Sequence, residues 1–354
     1  KVQWIVLLAC GIMVFGDGME QAAVTLLERP LAREWNTKPD ELAYLGSILF
    51  AGTIIGSLWG GWCSDKYGRK WTLISFGLLF IFGGISGAAS RSFLVFAVTR
   101  FITGMGIGAA QCSSITLIAE LSPTVHRGKL AMLVSGVGQA AGMGCVTVLG
   151  LLCRGSELGL DWWRTMLLIC ITPTVFGIFM LHNFVPESPH YCLVNGRQRE
   201  AEELVRKLAL DNDQADKLIN GGRVHYVPPP QADNRLTDLL EPHLRESIAF
   251  ICNVFVASCF TFHGHTFIYP ILLLDVIHED VRTEYVALSL ASVAQVLAVL
   301  VAAQMMDDPQ YGRRFTLQLL YATTFLLCGA APFLASTPWL FRADNTLLRA
   351  VLQA

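Results

Sequence analysis

The chain reads as an all-α protein that crosses a membrane many times, and three observations carry that reading. Of its 354 residues 53% are apolar and only 15% are charged, whereas a soluble domain carries about 25% charged residues. Too few charges remain to coat a core of this size, so lipid is the expected solvent. The mean hydropathy of +0.49 agrees. Second, the apolar residues gather in runs of about 20, the length a helix needs to cross a bilayer. Third, Lys and Arg fall unequally in alternate loops, as expected when one face of a membrane protein is cytoplasmic. The net charge of -2 excludes the basic surplus of a nucleic-acid binder. The ten cysteines show no CxxC spacing, and most sit inside apolar runs as small hydrophobes.

Nine runs are long enough to span: Trp4–Thr25, Leu42–Ser64, Trp71–Ala89, Phe93–Ala119, Leu130–Cys153, Thr165–Phe184, Ile248–Leu274, Tyr285–Met306 and Phe315–Ala335. A tenth is expected to begin near Thr346. The first run is too long for a signal peptide, and because the chain opens on Lys1 an N-terminal piece is expected to precede it. Lys66, Arg69, Lys70, Arg127, Lys129, Arg313, Arg314 and the basic residues of the central loop outnumber those of the opposite face (Arg29, Arg33, Lys38, Arg91, Arg154, Arg164, Arg282 and Arg342). The N-terminus is therefore expected in the cytoplasm, with the even-to-odd loops.

The polar stretch at 185–246 divides the chain into a six-helix bundle over 1–184, a cytoplasmic loop, and a partial second bundle over 247–354. Within the loop, Glu200–Leu210 predicts a short amphipathic helix with Leu204 and Leu208 on one face, and Pro228–Pro230 breaks the chain before Leu236–Leu244. Six spans, a loop and further spans suggest two halves of a repeat. Glycines four apart mark close helix packing: Gly52, Gly56 and Gly60; Gly83 and Gly87; Gly104 and Gly108; Gly138 and Gly142.

A charge inside a span costs roughly 2.5–3.5 kcal/mol on insertion scales, so the few present are informative. Asp17 and Glu20 lie in span one on one helical face, and Arg100 lies in span four. Asp17 is expected to pair with Arg100 and, being protonatable, to couple proton movement to a conformational change, with Glu20 toward the water at the outer mouth. Other polar residues expected to line a central cavity are Gln111, Gln139, His263, His265, Tyr269 and Gln295. His263 and His265 are two residues apart, so a helix points their rings to different faces, and a polar lining is preferred to a metal pair. Gly264 between them predicts a broken helix.

Between spans two and three lies Gly61-Trp-Cys-Ser-Asp65-Lys66-Tyr-Gly68-Arg69-Lys70. It resembles the G-x-x-x-D-[RK]-x-G-R-[RK] signature of the major facilitator superfamily. Gly61 is read as a close helix contact, Gly68 as a tight turn, Asp65 as the cap of a facing helix, and Arg69 with Lys70 as a cytoplasmic clamp. Arg100-Phe-Ile-Thr-Gly104-Met-Gly106-Ile-Gly108, Glu120-Leu-Ser-Pro123-Thr-Val-His-Arg127-Gly128 and Pro186-Glu187-Ser188-Pro189 resemble further segments of the same superfamily. The resemblance implies a major facilitator fold and a cytoplasmic charge network of Arg69, Glu120, Arg127 and Glu187. Asp17-Gly-Met-Glu20 and Asp238-Leu-Leu-Glu-Pro242-His-Leu-Arg245 are similar to the synaptic-vesicle-glycoprotein-2-related and organic-ion branch. The second copy of the gate motif, Met305 to Arg314, keeps Gly312, Arg313 and Arg314 but has Met305 for the first Gly and Pro309 for the Asp.

The resemblance implies secondary active transport of a small organic solute, an organic ion or sugar-like molecule, by alternating access, with proton coupling through Asp17 and Arg100. No cofactor or enzymatic motif is present in the sequence: there is no P-loop, G-x-S-x-G or H-E-x-x-H. The altered second motif keeps open an alternative, a transporter-shaped subunit or receptor that works with a partner in a membrane complex.

Overall fold

The computed structural model of the chain describes residues 2–37, 39–123, 126–153, 162–211, 241–271, 281–308 and 311–334, together with 344 and 346. They form α1 (Val2–Trp35), α2 (Pro39–Tyr67), α3 (Arg69–Ala88), α4 (Phe93–Leu121), α5 (Arg127–Cys153), α6 (Trp162–Phe184), α7 (Pro189–Val194), α8 (Gln198–Asp211), α9 (Pro242–Ile271), α10 (Val281–Asp307) and α11 (Gly312–Leu334). No strand occurs among the described residues. Eight of these helices are long and apolar enough to cross a membrane. α11 occupies the ninth predicted run but is not one of those eight.

α1 to α6 form one bundle. α4 packs on α2 and α3, and α1 packs on α5 and α6. The glycine spacing makes these contacts. Gly52, Gly56 and Gly60 face Phe101, Met105 and Ala109 of α4 so closely that an added Cβ would strike α4 itself. Gly104 and Gly108 return the contact onto Leu49 and Thr53. In lipid, where burying apolar surface drives little, such approach of backbones is what holds helices together. Gly61 departs from its reading as a helix contact: it has open space around its Cα. It lies one residue, hence about 100°, beyond the Gly52/Gly56/Gly60 stripe.

The far faces of α2, α3 and α6 present Ile54, Leu58, Phe82 and Phe179 outward, as lipid-facing surfaces do. The inner side is filled by Phe80, Phe96, Trp163 and their neighbours. α10 lies along α5 and joins the later helices to the bundle. Val299 faces Gly136, and Ser292 faces Gly144.

The sequence and structure part at several element ends. α1 continues past its apolar run to Trp35, through Pro30. α9 begins at Pro242, six residues before the predicted span, and runs unbroken through Gly264. A single glycine in a helix costs only about 1 kcal/mol, so the helix persists. The amphipathic segment of the loop is α8, as expected. Its Leu204 packs on Tyr191 and Cys192 of α7, and Leu208 reaches the main bundle. Ser188 caps α7, its Oγ accepting from the Tyr191 N–H at 3.3 Å. Pro228–Pro230, Pro309 and most of the expected tenth span lie outside the described residues.

Candidate functional site

Arg100 of α4 is 0% exposed and forms an ion pair with Glu20 of α1, which is equally buried. This corrects the expected partner: Glu20, not Asp17, meets Arg100, and it lies in the bundle rather than at the mouth. The three-residue step from Asp17 to Glu20 turns the helix by about 300°, leaving the two side chains about 60° apart. The face at Glu20 is the one that looks at α4. The second Arg100 nitrogen donates to Gly83 O at 3.4 Å, and the guanidinium lies 4.7 Å from the Phe96 ring centre. Gly87 leaves the space the guanidinium fills, since a Cβ there would strike Arg100 Nη2.

Asp17 is also buried, and its Oδ2 has no hydrogen-bond partner among the described residues. A carboxylate without a partner in a low-dielectric bundle is costly, and a proton or a cationic group of a solute removes that cost. On the neighbouring faces, Gln139 of α5 donates to Gln21 of α1 at 3.0 Å. Gln295 of α10 is 1% exposed, and neither its amide nitrogen nor its oxygen has a hydrogen-bond partner among the described residues. Gln111 is half-buried on α4. His263 of α9 packs against Phe50 of α2, ring centres 4.4 Å apart and tilted by 54°, so it bridges the first bundle and the later helices. The side chains of His265 and Tyr269 lie outside the described residues. A cavity of about 20 Å³ lies between α1, α5, α9 and α10, lined by Thr25, Thr147, Thr266 and Ser292 among others.

At the opposite end of the bundle the charged motif residues converge. Arg69 reaches Asp65 at 3.1 Å and Glu120 at 3.2 Å. Its backbone N–H and that of Lys70 donate to Glu187 Oε1 at 3.0 and 3.1 Å. Glu187 is therefore the carboxylate that caps α3. An anion there is favoured by the unpaired N–H groups of the first turn. Asp65, one turn before Arg69, is 78% exposed and pairs with it. Gly68 between them has φ 106°, a conformation open to glycine, and a Cβ would collide with Glu187. His190 of α7 adds a fifth group, 3.6 Å from Glu120. Arg127 is exposed at the start of α5 and forms no ion pair among the described residues.

In the second copy of the motif, Gly312 also adopts a positive φ of 66°. The Arg313 guanidinium lies against Gly128 at the start of α5, across the junction between the bundle and α11. Arg314 is exposed. The altered copy thus keeps its turn and one cross-junction contact.

Sequence reasoning passed over the opposite end of the bundle. There Trp163 Nε1 donates to Glu34 at 2.7 Å, and Arg164 pairs with the same carboxylate. Arg164 also donates to Ser90 O at 3.1 Å and Ala88 O at 3.3 Å, binding the end of α3. The signal was present: by the count of spans, Glu34 and Arg164 are loop charges on one membrane face.

A bundle of spanning helices with a buried acid–base pair between α1 and α4 and a charge network at one end defines a multi-pass membrane protein of the major facilitator class. The chain belongs to the family described as "Sugar (and other) transporter", whose pattern matches residues 25–341. It is 29% identical over 265 residues to the synaptic vesicle 2-related protein of Bos taurus, covering 75% of this chain and 46% of that protein. It is 31% identical over 234 residues to the 4-hydroxybenzoate transporter PcaK of Pseudomonas aeruginosa, covering 65% and 49%. The chain spans about half the length of these curated relatives. Its fold is similar to the xylose transporter XylE from E. coli in a partially occluded inward open conformation, with a TM-score of 0.74 and 20% identity over 100% of this chain and 84% of that one.

Proposed function

We propose that the chain carries out secondary active transport of a small organic solute, an organic ion or sugar-like molecule, by alternating access with proton coupling. The observation that carries the proposal is the Glu20–Arg100 pair, fully buried and joining α1 to α4. Protonation of Glu20 removes the charge that holds Arg100, so the α1–α4 contact loosens, and the proton becomes a control on helix position. Asp17, with an unbonded carboxylate oxygen, and the amides of Gln139 and Gln295 are the groups we assign to the solute and the proton. Unsatisfied buried amide atoms are costly, and a hydroxyl or carboxylate on a solute would satisfy them.

In this reading the Asp65–Arg69–Glu120–Glu187 network is the cytoplasmic gate, the N-terminus is cytoplasmic, and the chain divides into bundles at 1–184 and 247–354 around the loop 185–246. The test is uptake into proteoliposomes under an imposed proton gradient. Glu20→Gln is expected to abolish gradient-driven accumulation while leaving solute exchange measurable. Accumulation equal to wild type in that variant refutes the coupling role. A chain that moves no solute under any gradient favours the alternative of a subunit or receptor.

A further inference from the structure

The turn between α2 and α3 presents a surface that the gate does not use. Trp62, Tyr67 and Trp71 are large aromatic residues that stand more than half exposed at this end of the bundle. The Lys66 ammonium lies over two of them, 4.6 Å from the Trp62 ring centre and 5.3 Å from that of Tyr67. It forms no ion pair among the described residues. Of the neighbouring acids, Asp65 pairs with Arg69, and Glu187 turns its Oε1 to three backbone N–H groups, of Arg69, Lys70 and Ser188, with its Oε2 buried and unbonded among the described residues. On the other side of the turn, Lys70 donates to His182 O at 3.1 Å, and Trp71 packs edge-on against the His182 ring. Glu187 and, more weakly, Lys207 of α8 lie within electrostatic reach of Lys70.

Three helices therefore bring lysines to the end of the apolar spans, beside rings that stand outward into the lipid boundary. Tryptophan and tyrosine settle at headgroup depth, where one part of the ring is apolar and the other wet. A lysine held between two such rings, without an ion pair among the described residues, is complementary to a phosphate at the same depth. We propose that Lys66, Trp62 and Tyr67 form a binding site for the headgroup of an anionic phospholipid, with Lys70 and Lys207 adding to its field. The phosphate of the lipid meets the Lys66 ammonium, and the upper acyl chain lies against the rings. The site borders Asp65 and Arg69 and so places an anionic lipid beside the charge network.

The experiment uses the purified full chain equilibrated with vesicles of equimolar phosphatidylcholine and phosphatidylglycerol, with retained lipid counted by native mass spectrometry. Wild type is expected to retain phosphatidylglycerol over phosphatidylcholine about fivefold, the effect of one lysine near a charged membrane surface. Lys66→Gln is expected to bring the ratio near one, and Lys66→Arg to keep it. Lys66 is exposed, and an unchanged melting curve of Lys66→Gln in phosphatidylcholine alone confirms that the fold is intact. Raising the salt concentration should lower the wild-type ratio, because exposed charges are screened. Equal retention of the two lipids by wild type overturns the proposal, as does a Lys66→Gln variant with the wild-type ratio.

Discussion

Removing Glu20 tests the buried pair most directly. Arg100 has few other contacts to fall back on: one carbonyl at 3.4 Å, from Gly83, and the Phe96 ring at 4.7 Å. In Glu20→Leu a guanidinium stays in the bundle with no counter-charge, and breaking a buried pair this way costs about 3–5 kcal/mol. The insertion cost of a charge at a helix centre, roughly 2.5–3.5 kcal/mol, points to the same size. Arg100→Met should cost less, because an orphaned carboxyl can take up a proton, whereas guanidinium keeps its charge in proteins. The double variant removes both charges, and such replacements are often neutral or stabilising. The expected order of stability is wild type near the double variant, then Arg100→Met, then Glu20→Leu. The assay is denaturant unfolding in mixed micelles, read as a double-mutant cycle. The reasoning is refuted if Glu20→Leu unfolds within about 0.5 kcal/mol of wild type, the ordinary scatter of neutral substitutions. It is refuted equally if the double variant costs the sum of the singles.

Three further outcomes follow from the packing. Gly56→Ala should destabilise strongly, because its Cβ enters the backbone of Met105, whereas Gly61→Ala meets open space and should be neutral or stabilise by up to about 1 kcal/mol; melting temperatures of the pair compare the two directly. Glu187→Ala should cost about 0.5–2 kcal/mol through the lost cap of α3, and Glu187→Gln less, since an amide oxygen can still accept the two N–H groups; equal losses in the two variants would show that charge alone matters. Cys192 of α7 is fully buried, and burial first, then Glu200 and Glu187, push its thiol above the ordinary value. A raised thiol contributes stability that is complete below the ordinary thiol value and is lost as pH rises from there through the raised value. Alkylation of Cys192 should accordingly stay slow at mildly alkaline pH and accelerate only with denaturant; reaction at the rate of a free thiol would show that α7 and α8 do not pack together.

Much of this protein was determined by its sequence alone, for reasons of solvent and local geometry. The apolar runs set the spans, because backbone groups in lipid must bond within their own helix. The glycine stripes of α2 and α4 announced faces for close helix packing, since spacing by four puts small residues on one face, and the structure turns the two faces toward each other. Gly68 and the charged residues around it were legible as a turn and a network, because a tight turn with a positive φ demands glycine. The tertiary structure alone decided which charge meets which. Asp17 and Glu20 differ by less than a turn, and sequence cannot fix how α1 is rotated about its axis; packing of α1 against α5 and α6 does so, and it aims Glu20 at Arg100. Asp65 and Glu187 likewise are both acids near the start of α3, and only the path of the chain after α6 brings Glu187 onto the free N–H groups. The clasp of Glu34, Trp163 and Arg164 joins residues about 130 positions apart. Local propensity carries no information about pairings over that separation, because they arise only when whole helices have settled against one another.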